Sequence, residues 1–331
     1  MDAERILASQ RGSVPRYTSY PTAPHFADQN GLAIARSRLR QLPAGEPVSL
    51  YLHIPFCDRL CWFCGCNTKH TLKYAPVEAY VGALITELAT VRETAGSQLR
   101  LAHLHLGGGS PSMLRQPDFE RLSSALRQHF DVGPETEISV EIDPSDVTDE
   151  TLEGLVALGV TRASVGVQDF SDAVQEAINR PQTFEQTRDV IAALRATGIH
   201  SLNIDALYGL PLQTEERLVS TIDQVLSLAP DRIALFGYAH VPWLKKHQTL
   251  IRDEDLPGTM ERFHHAALAA DRIAAAGYDR IGIDHFAKPG DTMGIAAREG
   301  RLFRNFQGYT TDACRTLIGL GASSISSYGD A

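Results

Sequence analysis

Four cysteines fall within ten residues, in Cys57-Asp-Arg-Leu-Cys61-Trp-Phe-Cys64-Gly-Cys66, and the fifth, Cys314, stands alone far downstream. Thiolates spaced C-x3-C-x2-C can hold three corners of one [4Fe–4S] cubane from a single short loop, because cysteine sulfur is the usual ligand of iron–sulfur clusters. Three ligands on a four-iron cluster leave one iron open, and an open coordination position distinguishes a reactive metal centre from a structural one. A [4Fe–4S] cluster is therefore expected on Cys57, Cys61 and Cys64. The bland alternative is a structural zinc site on all four thiols. Zinc knuckles pair C-x2-C units or add histidines, and neither pattern occurs here. Cys66, one glycine beyond Cys64, is expected to stay off that cluster. It is read either as a catalytic thiol of a substrate pocket or as packing.

Short apolar runs alternate with helical patterns around this loop. The runs are Val48–Ile54, Leu101–Leu106, Glu137–Ile142, Arg162–Val167, Ser201–Leu207 and Arg232–Phe236. Between them, apolar residues at spacings of three and four predict helices near Val77–Thr94, Asp118–Phe130, Asp149–Leu158, Phe184–Ala196 and Glu215–Leu228. Gly96, Gly159 and Gly198 follow the last periodic residues, and Pro76 and Pro117 sit near helix starts. Repeated strand–helix units imply parallel strands joined by right-handed crossovers, which either a doubly wound sheet or a barrel satisfies. Beyond Phe236 the pattern predicts one long helix (Gly258–Ala276), a short apolar run (Arg280–Ile283) and a Gly-rich, less regular end.

In both architectures ligands gather at the carboxyl ends of strands. The distinctive words lie there: the cysteine loop, Gly107–Ser112, Glu141–Pro144, Gln168–Asp169, Asp205–Pro211 and Phe236–His240. Tyr51 and His53 are in phase on the first strand and face the same way just before the cysteine loop. Tyr51 is read as functional, and His53 is equally compatible with a buried hydrogen-bonding role.

The chain has 331 residues, 43% hydrophobic, with a formal net charge of −9. That acidity argues against a nucleic-acid partner held through phosphates. No run of eighteen apolar residues predicts a membrane span, and Met1–Gln10 lacks an apolar signal core, so the cytoplasm is the default compartment.

The cysteine loop resembles that of the radical S-adenosylmethionine superfamily, and the surrounding words resemble the oxygen-independent coproporphyrinogen III oxidases within it. The matching stretches are Arg16–Pro21, Tyr51–Cys57, Phe63–Asn67, Leu106–Ser112, Val140–Pro144, Gly166–Phe170, Asn203–Asp205, Tyr208–Pro211, Tyr238–His240, Asp284–Ala287 and Asn305–Thr311. They cover almost the whole chain in order. The resemblance implies an α/β fold, a partial (β/α)6 TIM-like barrel of the radical SAM type, with an irregular N-terminal segment and a truncated C-terminal region. It also implies two S-adenosylmethionine molecules in one site. Tyr51, Phe63, Gly108, Glu141, Ala239 and Ile325 match positions contacting the cluster-bound molecule. Gly109, Ser110, Gln168, Arg180 and Asp205 match positions around the second.

The activity implied is that of coproporphyrinogen dehydrogenase, an oxidoreductase of porphyrin and haem biosynthesis. Coproporphyrinogen III would become protoporphyrinogen IX as a 5′-deoxyadenosyl radical initiates conversion of two propionates to vinyls. The expected partners are that tetrapyrrole and an unidentified electron donor, with the chain acting as a monomer. Tyr51 and Cys66 are the catalytic candidates, and Arg16 is a candidate clamp for a propionate, since guanidinium binds carboxylates bidentately. The expected organisation is an N-terminal segment, 1–46, packing over the active site, a barrel over 47–240, and a barrel-completing extension over 241–331.

Other residues are weighed beside this reading. Gly107–Gly109 would let backbone approach a ligand closely, against the plainer role of a tight turn. Glu141 and Asp205 could accept hydrogen bonds from ribose hydroxyls or hold a methionyl ammonium. Asp143 and Asp169 read as caps or turns. His240, His264, His265 and His285 lack companions at metal-ligand spacing and read as core or surface residues.

Two departures from the pattern stand out. The resemblance implies a further C-terminal domain beyond Ala331; without it, exposed apolar surface and poor solubility are expected. Cys314-Arg-Thr316 stands where relatives carry acidic residues, without a physical explanation. Rival readings are a radical methyltransferase acting on tetrapyrroles, a haem carrier, and an inactive truncated form. The Cys64-Gly-Cys66, Arg16–Pro21 and Asn305–Thr311 words favour the oxidase over the carrier.

Overall fold

The computed structural model describes residues 25–26 and 31–329. Arg16 and the Arg16–Pro21 word therefore lie outside the described residues. Helix α1 (Gly31–Gln41) precedes strand β1 (Pro47–Ile54) and helix α2 (Ala75–Ala95). The alternation continues with β2 (Leu99–Gly108), α3 (Gln116–His129), β3 (Phe130–Ile142), α4 (Asp149–Leu158) and β4 (Arg162–Gln168). Two helices, α5 (Asp172–Ala177) and α6 (Phe184–Ala196), lead to β5 (Ser201–Tyr208), then α7 (Glu215–Ser227) and β6 (Arg232–Gly237).

Local chemistry explains the helix boundaries. In α2 the buried residues Val77, Val81, Leu84, Leu88, Val91 and Ala95 recur at four and three, a single stripe laid on the sheet. Pro76 sits in its first turn, where no N–H is needed, and Gly96 ends it at φ 72°. Thr148 and Thr151 close a reciprocal capping box on α4, and Gly159 ends it at φ 85°. Thr183 and Thr214 cap α6 and α7 in the same way, each accepting a backbone N–H three residues on.

Strands β1 to β6 lie side by side in chain order, all parallel. A doubly wound sheet would reverse its order at a switch point, so this order selects the barrel-like alternative that the strand–helix pattern left open. The barrel does not close. One edge is extended by β11 (Thr316–Leu320), parallel to β1, and β12 (Ser327–Tyr328). The other carries β8 (His285–Ala287), antiparallel to β6, and β7 (Asp279–Ile281).

The Gly-rich end is thus more ordered than its sequence suggests. After α8 (Thr259–Ala275) and the two short strands come α9 (Thr292–Arg298), the hairpin β9 (Phe303–Asn305) and β10 (Gly308–Thr310), and then β11. Gly319 in β11 is required by close approach rather than by irregularity. A Cβ there would sit 2.6 Å from the Ile325 carbonyl oxygen.

The strands invert the usual barrel pattern. Leu104, Leu106, Val140, Ile142, Ala163, Val165, Leu202 and Ile204 are buried in one core shared with the outer helices. The alternate positions, facing inward, are polar: His103, His105, Ser139, Glu141, Ser164, Asn203, Asp205 and Arg232. Barrels filled by their own side chains carry Val, Ile and Leu inside, whereas a polar interior is built to meet something else. A register shift between Leu101 and His103 lets β2 keep leucine outward and histidine inward across an odd spacing. Helix α1 packs through Leu39 on the same outer core, against α2. No helix among the described residues is long and apolar enough to cross a membrane.

Candidate active site

The cysteine loop leaves β1 and is folded against three other parts of the chain. From β2, the Gly109 and Ser110 amides donate to the Ile54 and Phe56 carbonyls at 2.8 and 2.7 Å. From the α5–α6 connection, the Trp62 amide donates to Ile178 O at 2.9 Å and Asn179 Nδ2 donates to Leu60 O at 3.0 Å. From the segment after β6, Gln248 Nε2 donates to Phe63 O at 2.9 Å, His247 Nε2 meets Cys64 O at 2.7 Å, and Lys245 Nζ donates to Cys66 O at 2.8 Å. Trp62 and Phe63 also pack on a small separate core of Val174, Ile178, Leu207, Leu210, Tyr238 and Ile251.

Held in this way, Cys57, Cys61, Cys64 and Cys66 line one cavity of about 230 Å³ at the carboxyl ends of the strands. Phe63, Gly108, Gly109, Ser110, Glu141, Gln168, Arg180 and Asp205 line the same cavity. Three expected residues are not on its wall. Tyr51 lies beneath it, with its hydroxyl 3.0 Å from His53 Nδ1 and its ring stacked on His105. Ala239 is tied to Phe63 through Gln248, which donates to both carbonyls. Ile325 crosses over Gly319, the β11 residue opposite Tyr51.

Close packing gives the glycine run a further reason. A Cβ on Gly107 would lie 2.8 Å from the Glu141 carboxylate, on Gly108 2.5 Å from the His53 ring, and on Gly109 2.5 Å from Phe56 O. The run brings β2 against the cysteine loop and under two polar side chains, with Gly108 at φ 114°. Glu141 in turn accepts the Gly108 N–H at 3.0 Å and meets His105 Nε2 at 3.4 Å, while His105 Nδ1 bonds Ser139 Oγ at 2.7 Å.

The electrostatics follow from these contacts. Burial alone would raise the Glu141 carboxyl, but His105 and the Gly108 amide hold it below its ordinary value. Asp205 behaves oppositely: burial pushes it up to about 6, against hydrogen bonds from Ser164 and Asn203 and with Glu141 adding to the rise. Burial likewise raises Asp146, which accepts from Ser110, to about 7. Burial raises the Cys57 thiol, and hydrogen bonding with Cys66 draws Cys64 down to about 7.

Arg180 is the buried cation of the site. It pairs with Asp143 at 2.9 Å, donates to Gly166 O at 2.8 Å and reaches Cys61 Sγ at 3.5 Å. Its Nε, also buried, has no hydrogen-bond partner among the described residues.

The donor set fits a cluster of several irons. Cys57, Cys61 and Cys64 line one cavity, and cysteine thiolates are the usual ligands of iron–sulfur clusters. A thiolate-ligated cluster carries negative charge, which Arg180 beside Cys61 compensates. Cys66 donates its amide to Cys64 Sγ at 3.4 Å.

Several contributors carry little or no sequence signal. Asp143 was expected only as a turn former. It does accept the Ser145 N–H, but its other oxygen pairs with Arg180. His105 could have been found, being in phase with His103 and Gly107 on the inward face. Gln248, His247, Lys245 and Asn179 act through the backbone of a loop far away in sequence, and nothing local marks them. Asp169 is a turn and core anchor, accepting from Ser171, Thr221 and Gln213. His265 and His285 are buried and His264 is exposed, while His240 sits between Tyr238 and Asp253.

Comparison with known proteins gives a consistent result. The radical SAM superfamily matches residues 51–225. The chain is 50% identical over 315 residues to the oxygen-independent coproporphyrinogen III oxidase of Cereibacter sphaeroides, covering 95% of this chain and 70% of that protein. It is 47% identical over 325 residues to the Bradyrhizobium diazoefficiens protein of the same name, covering 98% and 72%. The solved coproporphyrinogen III oxidase of Escherichia coli, described as a radical SAM enzyme, superposes with a TM-score of 0.90 at 41% identity, covering 95% of this chain and 72% of that one.

Proposed function

Since the chain belongs to the oxygen-independent coproporphyrinogen III oxidases of the radical SAM superfamily, we propose that its cavity carries out that reaction with the residues placed above. It is an oxidoreductase of haem biosynthesis that uses a [4Fe–4S] cluster and S-adenosylmethionine. The observation that carries the residue assignment is the meeting of Cys57, Cys61 and Cys64 with Gly108–Ser110, Glu141 and Asp205 around one cavity.

In this reading Cys57, Cys61 and Cys64 hold the cluster. When bound, the cluster supplies the electron that cleaves S-adenosylmethionine to the radical that attacks substrate. Glu141, kept ionised, accepts from the donor groups of the cofactor. Asp205 accepts from ribose hydroxyls and loses its proton as it does so. Phe63 covers the apolar side, and Gly108, Gly109 and Ser110 give the cofactor a backbone edge. Gln168 and Arg180 line the same cavity, and a second S-adenosylmethionine beside them is part of the proposal, as are contacts from Ala239 and Ile325.

Two propionates of coproporphyrinogen III are decarboxylated to vinyls, with Tyr51 and Cys66 as the catalytic side chains and Arg16 holding a propionate. Residues 1–46 serve as the covering segment, 47–240 as the barrel and 241–331 as its extension. The enzyme is placed in the cytoplasm as a monomer, drawing electrons from a separate donor.

The test is anaerobic. The cluster is reconstituted and the protein is given dithionite, S-adenosylmethionine and coproporphyrinogen III. 5′-Deoxyadenosine and protoporphyrinogen IX should appear together and vanish with Cys61→Ala. Deoxyadenosine without vinyl product would remove the substrate from the reading while leaving the radical machinery.

A further inference from the structure

The backbone of the cysteine loop is gripped by two short exposed segments, 69–73 and 241–250. Lys245 holds Cys66 O and His247 holds Cys64 O, while the Thr71 amide donates to Cys57 O at 2.9 Å. Lys69 and His70 pair as a short ladder with Phe56 and Cys57. Because Lys69 is three residues from Cys66, its backbone lies within about 11 Å of the residue that Lys245 grips.

These segments differ in character from the rest of the chain. Residues 56–73 and 241–250 carry Arg59, Lys69, Lys73, Lys245 and Lys246 against a single carboxylate, Asp58, in a protein of net charge −9. Of the three carboxylates that follow, Asp253 meets His240 while Glu254 and Asp255 share Arg252, and Asp253 and Glu254 remain largely exposed. Trp243 and Leu72 are each 81% exposed and Leu244 is 71% exposed. Large exposed apolar side chains with lysines beside them in sequence suit a protein partner more than a small anion, since aromatic anchors and rim charges are how protein interfaces are built. An acidic partner would be repelled by most of this surface and steered to this face.

We propose that this face docks an acidic one-electron donor protein, with Lys69, Lys73, Lys245 and Lys246 meeting its carboxylates and Trp243 and Leu244 covered by its apolar surface. The proposal rests on the assignment of the cluster to Cys57, Cys61 and Cys64. In the step concerned the donor is oxidised by one electron, the cluster passes from [4Fe–4S]2+ to [4Fe–4S]+, and no covalent bond in either protein changes. The carbonyls of the ligand cysteines are in direct contact with the docking segments, so the path into the cluster is short.

The test uses the reconstituted holoenzyme and two probes, reduced flavodoxin and a reduced acidic ferredoxin, with dithionite as the small-molecule control. Cluster reduction is followed by stopped-flow absorbance, and binding of the oxidised probes by calorimetry. Lys73→Glu/Lys246→Glu is expected to slow reduction by at least one of the protein probes, and weaken its binding, by about tenfold or more at low salt. Trp243→Ala should weaken the same binding by a similar factor. Added salt should shrink the effect of charge reversal, because exposed charges are screened over about 10 Å at 0.1 M.

Dithionite should reduce wild type and variants alike. Unchanged rates and affinities for both probes in the variants would overturn the proposal, as would the absence of salt-sensitive binding of either probe to wild type. Weaker binding of coproporphyrinogen III with unaltered probe binding would give the face to the substrate instead. Failure of dithionite to reduce the wild-type cluster would overturn the cluster assignment, and the docking face with it.

Discussion

Arg180 and Cys61, far apart in the chain, stand 3.5 Å apart, and the guanidinium nitrogen that reaches the thiol is also 2.9 Å from Asp143. One buried cation is therefore shared between a proposed cluster ligand and a carboxylate. Arg180→Met should cost about 3 kcal/mol of stability, since Asp143 would lose the partner that offsets its burial. It should also move the cluster potential to more negative values, because the reduced cluster carries one more negative charge. Urea unfolding and a redox titration followed by electron paramagnetic resonance check the two halves separately.

The four clustered cysteines should divide three to one. Cys57→Ala, Cys61→Ala and Cys64→Ala should each yield protein with well under four irons per chain after reconstitution. Cys66→Ala should retain a full cluster, because its thiol stands beside Cys64 and is not needed as a ligand. Iron and sulfide analysis with visible absorbance decides it, and an empty Cys66→Ala protein would reverse the assignment.

Gly109→Ala should be among the most damaging single-methyl changes. The added carbon would fall 2.5 Å from Phe56 O and 2.9 Å from Ile54 O, both backbone atoms that cannot swing aside. Separation of β2 from the cysteine loop would break two interstrand hydrogen bonds, for an expected loss of about 2–4 kcal/mol. Poor cluster retention at unchanged secondary structure is the predicted phenotype by circular dichroism and iron content.

Asp205 makes the cofactor-free protein sensitive to pH. Its carboxyl titrates at about 6 in the fold against 3.8 when unperturbed, so between those values the folded state holds more protons than the unfolded one. Stability must then fall as pH rises through that window and stay lower above it. Asp205→Asn should remove this loss, raising stability at pH 7.5 by about 1–2 kcal/mol after allowance for solvent in the cavity. It should also weaken S-adenosylmethionine binding by about tenfold. Thermal melts from pH 4.5 to 8 test the first statement and equilibrium dialysis the second.

Gln248 is fully buried, donates to Phe63 O and Ala239 O, and accepts the Val241 N–H at 2.6 Å. Gln248→Leu keeps the volume and orphans three backbone groups, for an expected cost of about 2–4 kcal/mol. Faster loss of iron to a chelator should accompany it. A Gln248→Leu protein that holds iron as firmly as wild type would mean the cysteine loop is rigid without this anchor.

These residues also mark how far the sequence could be read. The strands and helices were legible because their two sides differ: Val77 to Ala95 forms a helical stripe, and Leu202, Ile204 and Ala206 alternate with Asn203 and Asp205. Strand-end placement of the cysteines, Glu141 and Asp205 followed from that alternation. The sheet order needed the structure, since both candidate architectures share one local pattern. The C-terminal strand β11 was missed because its glycine serves a crossing backbone, a cause visible only once Ile325 is in place. Gln248 and Asn179 were invisible because their partners are main-chain carbonyls, which leave no complementary side chain to find.

The anchoring of the cysteine loop also imposes an order on the making of the protein. The proposed cluster ligands are synthesised early, and the residues that fix their loop follow in turn, Gly109 and Ser110 first, then Ile178 and Asn179, and Lys245 to Gln248 last. At roughly 5–20 residues per second, ten to forty seconds separate Cys64 from Gln248 at the ribosome. Throughout that interval the thiols sit on a loop that lacks its full set of anchors, open to oxidation and to stray metal. The loop is therefore fully anchored only late, once a distant glutamine has emerged, rather than when the cysteines themselves appear.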